Sequence, residues 1–371
     1  MPLEKEFRQL TVKMENAGLF ETRYSDYLPR VVFLSMLLAF PVWNIIGGSH
    51  SLGSVMLSAA SLGFFWQQLS FIGHDAGHIG ITHNRTLDSC IGLLVGNLLS
   101  GISIAWWKRS HNVHHIVCNS IEHDPDIQHV PVLAMSKVYL QEPVYSSFYK
   151  HYLPFTSLSQ LLCRYQHLLF YPVMMCAKWN LYAQSWLHLL ALGPYHSPEV
   201  IWHRRTQLAC LAGFATWLAA LVSFLPGWPL RLSFLLVSHA VAGILHVQII
   251  LSHYTMPVYK GISYNTDKDG FVRTQLATTM DISCPPWMDW FHGGLQFQIE
   301  HHLWPRLPRD RLRFARQSIL LPFLAKNKIE ALEADFITAN GIMISKLRAI
   351  AQTTVDTKIS DCIWDLLFAS G

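Results

Sequence analysis

Three short runs of this chain carry enough imidazole to bind metal: His74-Asp75-Ala76-Gly77-His78, His111-Asn112-Val113-His114-His115 and Gln298-Ile299-Glu300-His301-His302. Residues four apart share a helix face, so His74/His78, His111/His115 and Gln298/His302 each aim two side chains at one point. His114 and His301, three residues along, join the same faces. A single H-x3-H pair is more often a solvated or structural feature, but three such runs brought to one place reverse that balance. Seven imidazoles and one amide exceed the four ligands of a structural zinc site, and a pair of metals is the simpler reading. Imidazole suits iron, copper and zinc alike, so the spacing leaves the metal open. Glu122, His123, Asp124, Asp126 and His129 are expected to hydrogen-bond the ligating imidazoles rather than to ligate, and Asp75 and Glu300 are candidates for the same role.

The elements that must position these residues are apolar. Of 371 residues, 51% are hydrophobic and 14% charged, far from the balance of a soluble protein. Residues 31–46 with their flanks, 53–72, 207–224 and 232–252 each approach the roughly 20 residues that a bilayer requires. The links 47–52 and 225–231 are short, which gives two membrane hairpins. Each hairpin returns the chain to its starting side, so the N-terminus, residues 73–206 and the C-terminal tail share one face, where the three runs meet. Lys5, Arg8, Lys13, Arg23, Arg30, Lys108, Arg109, Lys178, Arg204 and Arg205 sit on that face and only Arg231 at the hairpin tips, which makes the face cytoplasmic. The expected fold is all-α and integral to a membrane: four transmembrane helices in two hairpins, with a cytosolic helical cap holding a histidine-rich dimetal site.

Within that frame, residues 1–30 form an N-terminal cytosolic amphipathic segment, whose short helix over 3–20 lacks a hydrophobic partner of its own. Residues 31–308 form the membrane domain with its three histidine boxes, and 309–371 a C-terminal cytosolic helical tail. The apolar stretches 90–107 and 167–192 are interrupted by Asn97, Lys178 and Asn180 and are expected at the interface or under the cap. The polar first 30 residues do not read as a cleavable signal peptide. Seven cysteines without a C-x-x-C pair argue against a disulfide framework and fit a reducing compartment. A net charge of +4 is small for this length; it gives no basis for a nucleic-acid partner and suits anionic lipid headgroups.

The boxes H-x3-H, H-x-x-H-H and Q-x-x-H-H, in this order around two apolar hairpins, resemble the membrane-bound fatty-acyl desaturase and hydroxylase superfamily over about residues 7–313. Gln298 opens the third box within Trp290-Phe291-His292-Gly293-Gly294-Leu295-Gln296-Phe297-Gln298-Ile299-Glu300-His301-His302-Leu303-Trp304-Pro305-Arg306, which is similar to front-end desaturases. Trp66-Gln67-Gln68-Leu69, His74-Asp75-Ala76-Gly77-His78, Ile81-Thr82-His83-Asn84, Trp106-Trp107-Lys108 and Glu122-His123-Asp124-Pro125-Asp126-Ile127-Gln128-His129 are similar to fungal Δ8 sphingolipid desaturases. The resemblance selects iron among the metals that imidazole suits. It implies two iron ions, O2 as co-substrate, and electrons from NADH through cytochrome b5 and its reductase. The ligands so implied are His74, His78, His111, His114, His115, Gln298, His301 and His302. A further ligand is expected near the cytosolic end of the fourth span, with His253 the first choice and His246, one or two turns deeper, the alternative; polar residues inside spans are costly and often functional.

Such proteins usually carry an N-terminal cytochrome b5 domain marked by His-Pro-Gly-Gly, a motif this sequence lacks. A separate cytochrome b5 is therefore the expected partner, and a shortened chain the alternative. An unactivated methylene needs an oxidant made from O2 at a redox metal. The expected reaction inserts a double bond at C8 of the sphingoid base of a ceramide, in the endoplasmic reticulum membrane with the active site facing the cytosol. The alternatives are a front-end acyl-CoA or acyl-lipid desaturase, a hydroxylase, and a truncated or catalytically silent metal-binding membrane protein. Trp106, Trp107, Trp287 and Trp290 are read as bilayer-edge anchors or, alternatively, tunnel walls. His83, His167, His188, His196 and His203 are assigned to interface or core hydrogen bonding.

Overall fold

An α-helix satisfies its backbone groups within one segment, so long apolar stretches fold helically where hydrocarbon replaces water. The computed structural model describes residues 3–48, 50–190, 204–261 and 270–355; His196, His203 and Cys362 fall outside these. The principal helices are α1 (Leu3–Asn16), α2 (Leu28–Ile46), α3 (Leu52–Gly77), α4 (Ile104–Val117), α5 (Gln166–Leu190), α6 (Arg204–Ser223), α7 (Gly227–Ala242), α8 (Ile244–Tyr254), α9 (Gly270–Thr278), α10 (Gln298–Leu303) and α11 (Phe336–Ala351). Four stretches are long and apolar enough to cross a membrane: Tyr24–Ile46, Leu52–Gly77, Arg204–Ser223 and Gly227–Tyr254. They coincide with the four apolar stretches of the sequence. Two run further than hydropathy alone marks, because helical hydrogen bonding continues into polar residues. That continuation puts His74 in the last turn of α3 and His253 in the last turn of α8.

The packing of α3 positions the rest. It lies against α2 on one side and α7 on another, around Leu62, Phe65, Trp66, Leu69, Phe214 and Phe234. Gly63 permits the approach to α7, since a Cβ there would sit 2.5 Å from the Ser238 carbonyl oxygen and 2.6 Å from Val241 Cβ. On α2, Val31, Val32, Met36 and Phe40 stay exposed, an apolar surface suited to hydrocarbon.

Neither of the two interrupted apolar stretches is among the four spanning candidates. The first breaks after a turn at Leu93–Leu98, where the buried Asn97 side chain accepts from Ile104 N at 3.0 Å. Ser103 then caps α4, its hydroxyl accepting from Trp106 N. In α5 the Lys178 ammonium is buried, donating to the Ser100 carbonyl and hydroxyl at 3.0 and 2.9 Å and lying over the Trp66 and Tyr182 rings. Burial lowers its pKa to about 7.

The N-terminal helix departs from expectation, because it does have a hydrophobic partner. Leu3, Phe7 and Met14 of α1 are buried against Phe297, Leu303, Trp304 and Phe323, and Phe7 stacks on Trp304 at 5.3 Å. These partners stand at the far end of the chain, beyond the reach of a local reading. In α11, Ala339, Met343 and Leu347 bury against Phe170 and Leu251, which ties the C-terminal region to α5 and α8.

Candidate metal centre

Four helices deliver the imidazoles. The last turn of α3 carries His74 and ends in His78; α4 carries His111, His114 and His115, α8 His253, and α10 His301 and His302. Two groups result: His74, His78, His111 and His301, and His114, Cys118, His253 and His302, each with its ligand atoms within 4.8 Å of one another. His115 stands between them. Its Nε2 lies 3.0 Å from His111 Nε2 and 3.1 Å from His301 Nε2, while its ring stacks on His302 at 4.2 Å. Gly77 lets the first two boxes close, since a Cβ there would lie 2.0 Å from the Trp107 ring. The short α10 is fixed from behind: Asp281 accepts from Ile299 N at 2.9 Å, and Arg316 pairs with Asp281, Glu300 and Glu333.

Outer hydrogen bonds decide which nitrogen each ring offers inward. His114 Nδ1 donates to Asp124 at 3.0 Å, and His302 Nδ1 donates to Gln275 Oε1 at 2.8 Å. His253 Nδ1 faces the Thr278 carbonyl at 3.4 Å and Cys118 Sγ at 3.3 Å. With Nδ1 engaged, Nε2 is the nitrogen left for a metal. His78 Nε2 and His302 Nε2 are buried with no hydrogen-bond partner, a costly state for a polar atom unless a ligand takes it.

Burial, reinforced by the neighbouring imidazoles and cations, holds His78, His111, His115, His301 and His302 well below the ordinary imidazole pKa. They are therefore neutral and able to ligate. His114 behaves oppositely: burial disfavours its charge, but the Asp124 and Asp126 carboxylates outweigh that and raise its pKa to about 9. A nitrogen-rich donor set in two groups, neutral apart from His114, is compatible with transition-metal ions rather than with hard cations that prefer oxygen.

Each sequence-predicted residue has a definite place. The eight histidines His74, His78, His111, His114, His115, His253, His301 and His302 come together, and Gln298 is buried beside them in hydrogen-bonding contact with His253. His246, the alternative to His253, belongs to neither group. Asp124 supports His114 as expected, with Asp126 at 3.8 Å from the same nitrogen. Glu122 and His123 do not: Glu122 accepts from Gly261 N at 2.8 Å, and His123 meets Ser147 Oγ at 2.7 Å. Asp75 stands 3.9 Å from His74 Nδ1 and is engaged by Arg309 and by the Tyr27 hydroxyl at 2.7 Å. Glu300 faces Arg316 rather than an imidazole. Two functional candidates escaped sequence reasoning. Cys118 sits four residues after His114, a spacing open to view but hidden by reading cysteines only as pairs; Gln275 carries no local signal.

Beside His74, His111, His114, His253 and Gln298 opens a cavity of about 730 Å³. Trp106 and Trp107 line it, whereas Trp287 and Trp290 lie on the surface, 71% and 53% exposed.

Residues 51–331, which include every histidine of both groups, match the family model described as fatty acid desaturase. The chain is 40% identical over 363 residues to a Delta 8-(E)-sphingolipid desaturase of Komagataella phaffii, an alignment covering 97% of this chain and 64% of that protein. It is 40% identical over 349 residues to a Delta(8)-fatty-acid desaturase of Helianthus annuus (94% and 74% covered). To an acyl-lipid (9-3)-desaturase of Borago officinalis it is 38% identical over 372 residues (100% and 80% covered). The chain spans 60% to 64% of the length of the first three fungal relatives it matches. Taken with the imidazole cluster, these matches identify the chain as a member of the fatty acid desaturase family.

Proposed function

We propose that this protein is an integral-membrane lipid desaturase acting at C8 of the sphingoid base of a ceramide. The observation that carries the reading is the cluster of eight imidazoles, four of which border an apolar-walled cavity of about 730 Å³. The names of the fungal relatives support the substrate. In the balanced reaction a –CH2–CH2– unit, O2, two electrons and two protons give –CH=CH– and two waters.

Two iron ions are the proposed cofactors. His74, His78, His111, His115 and His301 would hold one, and His114, His253 and His302 the other, with Gln298 beside the second. Iron bound there supplies the O2-derived oxidant that an unactivated methylene requires. The protein's own residues do the positioning. Asp124 and Gln275 fix the tautomer and orientation of His114 and His302, and the apolar cavity wall excludes water from the chain. Electrons come from NADH through cytochrome b5 reductase and a separate cytochrome b5.

The topology we propose pairs α2 with α3 and α6 with the α7–α8 span as two hairpins in the endoplasmic reticulum membrane. The histidine boxes then lie in a cytosolic cap, with 1–30 as an N-terminal segment, 31–308 as the membrane domain and 309–371 as the tail. A front-end acyl-CoA or acyl-lipid desaturase is the second reading, favoured by the sunflower and borage relatives. Mass spectrometry of sphingoid bases and fatty acids from yeast producing this chain, with and without a fused cytochrome b5 domain, separates the two. A new Δ8-unsaturated base supports the first reading and new unsaturated fatty acids the second. No product in either strain, despite membrane-inserted protein, overturns both.

A further inference from the structure

His246 takes no part in either metal group, yet both its ring nitrogens are buried without a side-chain hydrogen-bond partner and the residue lines the cavity. Along α8 the face His246, Ile249, Ile250 and His253 borders one continuous space. Seven residues of helix place His246 about 10.5 Å along the axis from His253. The candidate span runs Gly227–Tyr254, so His246 stands about two turns deeper in it than His253.

A buried imidazole on a cavity wall with no side-chain partner calls for a polar group of the substrate. A neutral imidazole offers one donor and one acceptor, and a hydroxyl answers both, whereas an ester or thioester carbonyl answers only the donor. Asp126, also on the cavity wall with its side chain 41% exposed, accepts from Ser110 at 3.1 Å and has acceptor capacity left for a second donor. The sphingoid base carries hydroxyls at C1 and C3. Roughly 9 Å of extended chain separates C1 from C8, at about 1.3 Å per bond, which is comparable to the axial distance from His246 to His253.

We propose that His246 is a specificity-determining residue that binds a sphingoid hydroxyl, with Asp126 as a second acceptor, and so selects hydroxylated long-chain bases over acyl esters. This assignment rests on the desaturase reading above. The test compares kcat/KM for a ceramide and for its 1,3-dideoxy analogue, using the iron-loaded full chain with reduced cytochrome b5. Wild type is expected to prefer the ceramide by about tenfold or more, the range set by leaving a buried polar group unpaired. His246→Leu should bring that ratio towards one at unchanged iron content, and His246→Asn, which keeps a donor and an acceptor, should restore part of it. An unchanged ratio in His246→Leu, or equal losses on both substrates, overturns the proposal. If iron-loaded wild type desaturates neither lipid, the ceramide reading itself falls and takes this assignment with it.

Discussion

A histidine ligates only through a nitrogen that nothing else occupies, so the groups behind the cluster matter as much as the cluster. Asp124 fixes His114, and Gln275 fixes His302. Removing either outer bond, by Asp124→Asn or Gln275→Leu, should weaken metal binding by about 10- to 100-fold; iron retained per chain against a graded chelator measures it. Replacing His78, His111, His115 or His302 with Ala removes an inward nitrogen outright, and turnover should vanish in each. Product formation surviving in two of these variants would defeat the proposed ligand set. The imidazoles were legible in the sequence because helical spacing alone puts them on common faces. Gln275, Arg316 and Cys118 were not, because each acts across contacts between segments distant in the chain or through a role its residue type does not announce.

At the scale of elements, two close approaches set the geometry. Gly77 meets the Trp107 ring with no room for a side chain. Gly77→Val should therefore displace α4 from α3 and lower iron content together with turnover, both measurable on the purified protein. Phe7 of α1 stacks on Trp304, just beyond α10. Phe7→Ala removes a buried ring worth about 3–5 kcal/mol, and its thermal midpoint should fall by several degrees, with faster loss of iron. Hydropathy revealed the four long helices because an apolar run of that length has few other ways to satisfy its backbone. It could not reveal where α1 docks, since burying Leu3, Phe7 and Met14 depends on residues brought near only by the complete fold. Nor did it fix the ends of α3 and α8, where the helix outlasts its apolar stretch and carries His74 and His253.

Across the whole molecule, the proposed ligands would bind together α3, α4, α8 and α10, which otherwise meet through limited packing. Metal should then act as a ligand of the native state alone and stabilise it by mass action. Thermal unfolding in detergent should shift to lower temperature on chelation and return on adding ferrous iron; equal midpoints with and without metal would contradict a site shared among the four helices. The order of those helices along the chain also has a meaning for biosynthesis. The first two boxes supply five of the eight imidazoles, at positions 74 to 115, and the remaining three follow only at 253, 301 and 302. A ribosome that has not yet passed α8 therefore presents an incomplete version of each group. Completion of the donor set becomes a step that follows translation of nearly the whole chain, so a truncated product ending before His301 would keep only a partial version of each group.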